Sequence, residues 1–194
     1  MIFPTGYFPS FYYLQKLCEH PKVIIESHEH WIKQSIRNRC MILTAEGVQR
    51  LTLPIVHSEN KQAIHQIEID DSKNWRIKHW RAIQTAYGNA PYFEYYDEEI
   101  KSLLLSNCSH LWELNKQILL FFIQLWELPI ELKTSETFVP YQVNDSRHLD
   151  WLNPNIEHEP YQQVIGFTKE FIPNLSVLDL LMCEGPMGRK LLIR

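Results

Sequence analysis

The sequence predicts an α/β protein: a small central sheet with an N-terminal strand–helix–strand unit, a hairpin, and a helical C-terminal half. Three observations lead there. A β-branched run, Val23, Ile24 and Ile25, follows a compact helical pattern. Between residues 40 and 70 the apolar residues cluster or alternate in short stretches, as strands do. From residue 71 onward they recur at the three- and four-residue spacing of helices.

In chain order, residues 1–8 read as a short strand end followed by a turn at Pro4, Thr5 and Gly6. Ser10 is placed to cap a helix over residues 10–18, where Tyr13, Leu14 and Leu17 share a face. The run 23–25 is a buried strand, and a polar stretch, 26–39, comes after it. Residues 40–44 and 51–56 flank Glu46 and Gly47, the pattern of a hairpin. Residues 64–70 alternate apolar and polar, which predicts a half-exposed strand.

Asp71 and Ser72 offer a cap to a helix on which Ile77, Trp80, Ile83 and Tyr87 repeat, ended by Gly88 and Pro91. A second helix is expected over 95–105 and a third over 111–128. On the third, Leu111, Leu114, Ile118, Phe122 and Leu125 form a stripe that Phe121 and Trp126 widen, so it packs on more than one side. Residues 133–160 are rich in Pro and Asn and read as a long loop. An ordered segment is expected at 161–167. Ser176 then caps a final helix over 177–183, with Asp179 at the capping-box position and Gly185-Pro186 as the stop.

A chain of 194 residues fits a single domain, 1–194, and can bury roughly 70% of its unfolded surface without a disulfide or metal staple. The net charge of −4 argues against nucleic acid as a partner, because duplex binders carry a basic face. The most apolar stretch, 118–130, contains Gln124 and Glu127 and is too short to span a bilayer, so no membrane association is expected. The start lacks a basic segment ahead of its apolar residues, which points to a cytoplasmic protein. Cys18, Cys40, Cys108 and Cys183 form no CxxC pair, so they read as reduced thiols, and neither a cofactor nor a metal is expected. Cys40, beside Arg39, reads as a buried strand cysteine ahead of a reactive thiol.

Chemistry concentrates in residues 26–39, directly after the predicted strand at 23–25. Ligands of open α/β sheets sit at the carboxyl ends of strands. Lys33, Arg37 and Arg39 suit a phosphate or carboxylate, and Asn38 could orient it. His28 is a candidate general base, since imidazole titrates near neutral pH. The plain alternative is a solvated loop whose charges pair with one another. His28 and His30 with Glu26 or Glu29 make an incomplete metal set that His65 or His79 would have to finish. A second cluster, Arg76, Lys78, His79 and Arg81, lies near a helix start, where cations oppose the helix dipole and hint at an anion partner. Its plain alternative is an exposed basic face with Ile77 and Trp80 buried.

Pro4, Thr5, Gly6, Tyr7, Phe8 and Pro9, followed by Lys33 and by Arg37, Asn38 and Arg39, resemble the opening signature of the WbqC-like protein family. Asp71, Trp75, Lys78, His79 and the run 86–93 resemble its second signature, and 173–181 fits as well. Ser27 and His28, flanked by Glu26 and Glu29, stand where many relatives carry an Asp pair, and Thr5-Gly6 replaces the usual Asn before the first Tyr. The resemblance implies a link to surface-polysaccharide biosynthesis in some relatives. The combined expectation is a transferase acting on a small anionic substrate, an activated donor such as a nucleotide sugar or acyl thioester. Its candidate catalytic residues are His28 and His79, and its candidate binding residues are Tyr7, Lys33, Arg37, Asn38, Arg39 and Arg76. The alternative is a non-catalytic binding or assembly protein.

Overall fold

The computed structural model describes residues 1–56, 61–142, 145–164 and 170–193. Its sheet has three parallel strands in the order β1 (Ile2–Phe3), β2 (Lys22–Ile25) and β5 (Glu131–Thr134). Helix α1 (Phe11–Cys18) connects β1 to β2, as the N-terminal pattern predicts. Ser10 caps α1 by accepting from the Tyr13 amide at 3.4 Å. The strand β3 (Arg39–Thr44) pairs antiparallel with β4 (Gly47–Thr52), and this expected hairpin stands apart from the parallel sheet.

The helical half consists of α2 (Trp75–Tyr87), α3 (Phe93–Leu104), α4 (Leu111–Leu125), α5 (Val177–Glu184) and the short α6 (Arg189–Leu192). Phe3, Tyr7, Phe8, Phe11, Tyr13 and Leu14, all fully buried, join Ile42, Ile83, Ile118, Phe122 and Leu178 in one core. The abundant aromatics are therefore mostly core. Phe3 and Trp151 both pack against the Tyr13 ring, at centroid distances of 5.6 and 5.1 Å.

Four local readings are corrected. Residues 64–70 do not form a strand: Ile64–Gln66 is a 3-10 turn, and Ile69 makes only an isolated bridge to Ile55. The alternation arises because Ile64, Ile67 and Ile69 all face the core from an irregular path. The stretch 133–160 is not simply a loop. It opens in β5, and Asp145, Ser146, Arg147 and Trp151 within it are buried. On α2, Ile77 is exposed, while His79 takes a buried place beside Trp75 and Trp80.

Finally, Asp179 does not form a capping box. The Ser176 amide it would have served donates to the Met41 carbonyl, and the Asp179 carboxylate accepts from the Tyr161 hydroxyl at 2.7 Å and from Gln163 at 3.1 Å. Gly185 ends α5 at φ +54°, and a Cβ there would stand 2.3 Å from the Tyr92 ring. Of the segment expected at 161–167, residues 165–167 lie outside the described residues.

Candidate functional site

The parallel strands β2 and β5 run side by side to Ile25 and Thr134, so Glu26 and Ser135 emerge together at the carboxyl edge of the sheet. Glu26 is fully buried. Its carboxylate accepts from the Ser135 hydroxyl at 2.6 Å, from the His28 and Val139 amides at 2.8 Å each, and from Arg147 at 3.3 Å. Arg147, also fully buried, pairs in addition with Asp145 and lies against the Tyr141 ring at 4.3 Å. A second buried pair joins Arg37 to Glu29 through two parallel hydrogen bonds of 2.8 and 2.6 Å. Burial pushes the Glu29 carboxyl upward, and the Arg37 guanidinium opposes that shift.

The 26–39 segment is therefore solvated only at its tip, residues 30 and 32–34, while Arg37 and Glu29 pair within it as the plain alternative has it. It is pinned from beneath by these pairs and laterally by the 62–65 turn. The Ile64 amide donates to Glu29 O at 2.8 Å, and the Trp31 amide donates to Gln62 O at 2.9 Å.

The outer end of the segment forms a cleft of about 230 Å³ lined by Trp31, Lys33, Gln34, Asn38, Arg39, Ile55 and Val56. Among the described residues no carboxylate pairs with Lys33 or Arg39. Burial, and then the nearby Arg50, lower the Arg39 pKa. Three lining residues carry a buried polar atom with no hydrogen-bond partner among the described residues: Trp31 Nε1, Asn38 Oδ1 and Arg39 Nε. Such groups are rare in folded proteins, because each costs about 1–3 kcal/mol when left unsatisfied. The Asn38 amide nitrogen is used, donating to Leu53 O at 2.9 Å, which fixes the side chain and leaves its oxygen over.

The remaining predicted residues are placed elsewhere. Arg37 has its fork committed to Glu29, so it offers no clamp to an anion. Arg76 donates to Asp71, to Leu104 O at 2.8 Å and to Cys108 O at 2.7 Å, tying α2 to the end of α3. Tyr7 is fully buried, and its hydroxyl meets His79 Nδ1 at 2.7 Å. Burial lowers the His79 pKa to about 4, against a weaker opposing hydrogen bond with the Thr52 backbone. His79 is thus a neutral core histidine with its ring already engaged. None of these four is among the described residues that line the cleft. Lys78 and Arg81 are exposed.

His28 stands at the sheet edge, with Nδ1 2.9 Å from Ser27 Oγ and its ring 4.6 Å from that of His65. Sequence reading missed Trp31, Ile55 and Val56 as the apolar wall of the cleft. It also missed Ser135, Asp145 and Arg147 as supports. Trp31, one aromatic inside a charged segment, was the available signal. Among the described residues no three His, Cys, Asp or Glu are grouped to hold a metal ion, and no helix is long and apolar enough to cross a membrane.

Buried thiols fill the rest of the picture. Cys40 is buried in β3 and its pKa is pushed upward by burial, in keeping with a strand cysteine.

Comparison with known proteins gives one similar curated sequence. The uncharacterised protein Rv1507c of Mycobacterium tuberculosis (strain ATCC 25618 / H37Rv) is 31% identical over 93 residues, 47% of this chain and 40% of that protein. The chain thus spans well under two thirds of that relative's length. No solved structure matches. The model of the WbqC-like protein family matches residues 5–153 and 141–190, a span that takes in both the sheet edge and the cleft; the chain belongs to the WbqC-like protein family.

Proposed function

We propose that the protein is a transferase that holds a small anionic substrate in the Trp31–Arg39 cleft, with an activated donor such as a nucleotide sugar or an acyl thioester as the ligand class. The observation that carries this reading is the coincidence, in one cleft, of two cations and three buried polar atoms that find no acidic or hydrogen-bond partner among the described residues. A ligand oxygen satisfies the Trp31 and Arg39 donors, and a ligand N–H or O–H satisfies Asn38 Oδ1. Lys33 and Arg39 neutralise its charge, and Ile55 and Val56 pack against its apolar part. His28, at the sheet edge rather than in the cleft lining, is the proton acceptor of this scheme for a substrate that extends from the cleft to it, because the His79 ring is already engaged in the core. The link to surface-polysaccharide biosynthesis that the family resemblance implies suits such a donor.

The test is calorimetric titration of the protein with a panel of nucleotide sugars and CoA esters. At least one should bind, and Lys33→Ala or Arg39→Ala should weaken it roughly ten- to hundredfold, the worth of a charge-assisted hydrogen bond. A panel with no binder, or variants that bind as the parent does, contradicts the reading.

A non-catalytic binding or assembly role is favoured by a different observation, the exposure of Tyr95, Phe138 and Tyr141. Recovery of a stoichiometric protein partner that is lost on replacing these three residues would support that second role.

A further inference from the structure

We infer that His28 and His65 form an open binding site for a divalent transition-metal ion of the zinc or cobalt type, at the carboxyl edge of the parallel sheet. The first support is the proton arrangement. The Glu26 carboxylate takes the Ser135 hydroxyl proton. The Ser27 hydroxyl, 2.9 Å from the Ser135 carbonyl, gives its single proton there. Ser27 Oγ can then only accept from His28, so His28 carries its proton on Nδ1. The Ser27 carbonyl likewise only accepts, so His65, at 2.7 Å, carries its proton on Nδ1 as well. Both rings are thereby left with a lone pair on Nε2. Imidazoles that bind metals are oriented in this way, with the far ring nitrogen donating to a backbone or side-chain oxygen.

The second support is geometric. Both Nδ1 atoms are anchored on one residue, Ser27, which holds the two rings side by side at the sheet edge. The ring centres lie 4.6 Å apart at an interplanar angle of 56°. Two imidazoles on one tetrahedral ion, each with a metal–nitrogen distance of about 2.0–2.1 Å, have ring centres roughly 5 Å apart. Small ring rotations close the difference.

The third support is charge. The buried Glu26 carboxylate, which accepts from the His28 amide, has Oε1 3.9 Å from His28 Nδ1. A carboxylate behind the ligating imidazole favours a cation at its far nitrogen.

Imidazole nitrogen suits zinc, cobalt, nickel and copper over magnesium or calcium. With two protein ligands the ion keeps open positions for water or substrate, so the site is exchangeable. The site itself stands independently of the proposed function. Its chemical role rests on that reading: an ion held there would acidify a bound water, and the hydroxide left once that water releases its proton to solvent would take over the proton acceptance assigned to His28.

The experiment is titration of the metal-free protein with zinc chloride, followed by calorimetry, and with cobalt chloride, followed by NMR. The expected result is one ion per chain, with affinity lowered about tenfold or more in His28→Ala and His65→Ala and unchanged in His30→Ala and Lys33→Ala. Gln replacements at 28 and 65 serve if the Ala variants unfold. In the parent protein, cobalt should broaden the ring signals of His28 and His65 before those of other histidines, a readout that needs no variant. Absence of saturable binding, or broadening that starts at other histidines, overturns the inference. Failure of the cleft variants in the nucleotide-sugar titration leaves this result untouched, so the two proposals are separable.

Discussion

Arg37 and Glu29 face each other across two parallel hydrogen bonds of 2.8 and 2.6 Å, with side chains 2% and 1% exposed. Removing one partner leaves a buried charge with no counterpart. Arg37→Ala or Glu29→Ala should lower unfolding free energy by about 3–5 kcal/mol in urea denaturation, while a joint Arg37→Met/Glu29→Leu replacement costs far less. Single variants as stable as the parent would show that the pair is not closed in solution.

Arg147 does the equivalent work for the segment after β5. Its guanidinium links Asp145 and Glu26 and donates to Val139 O at 2.8 Å. Arg147→Ala should leave two buried carboxylates unmatched and release this stretch. Limited proteolysis is expected to cut within residues 136–150 well before the parent is cut there.

The sheet topology explains why that segment was hard to read. β5 consists of Glu131, Leu132, Lys133 and Thr134, and only Leu132 is apolar. An edge strand with charges on its exposed face lacks the apolar alternation that reveals a strand. By contrast Val23 and Ile25, in the central strand, are both buried and were legible as a β-branched run. The hairpin was legible through Gly47, and α1 and α4 through their apolar spacing. Residues 64–70 misled because a 3-10 turn followed by an irregular path can bury Ile64, Ile67 and Ile69 as a strand would.

The candidate site divides in the same way. Lys33, Asn38 and Arg39 line one cleft, and a charged segment after a strand was the signal for it. Arg37 could not be separated from its neighbours in sequence, because what removes it is Glu29, eight residues earlier and reached only through a turn. His79 looked like a titrating surface histidine within a basic cluster. Its burial follows from which face α2 presents to the core, and the exposed Ile77 shows that apolar spacing alone set that face wrongly.

His79 makes stability depend on pH. Its folded value is about 4, below the ordinary 6.5, so between these two values the unfolded chain binds more proton than the folded one. The contribution is complete above pH 6.5 and is lost as pH falls toward 4. A shift of this size amounts to about 3 kcal/mol. Urea denaturation at a series of pH values should show this slope in the parent and a flatter profile in His79→Gln.

The thiols should resist modification in order of burial. Cys40 and Cys183 are buried and their pKa values pushed upward, while the half-buried Cys18 is pushed up to about 12. Iodoacetamide at pH 8 should leave Cys40 unlabelled until the protein unfolds, as mass spectrometry of the digest would report. Rapid native labelling of Cys40 would point instead to a reactive thiol beside Arg39.

The central claim is that the cleft holds a ligand whose oxygens complete the bare donors of Trp31 and Arg39. The indole N–H of Trp31 reports on this directly. In ¹⁵N-labelled protein, addition of a binding nucleotide sugar or CoA ester should move the Trp31 indole resonance as its nitrogen gains an acceptor, with no such movement in Lys33→Ala/Arg39→Ala at the same concentration. A Trp31 signal that stays fixed while the ligand saturates the protein would place the binding site elsewhere and contradict the account.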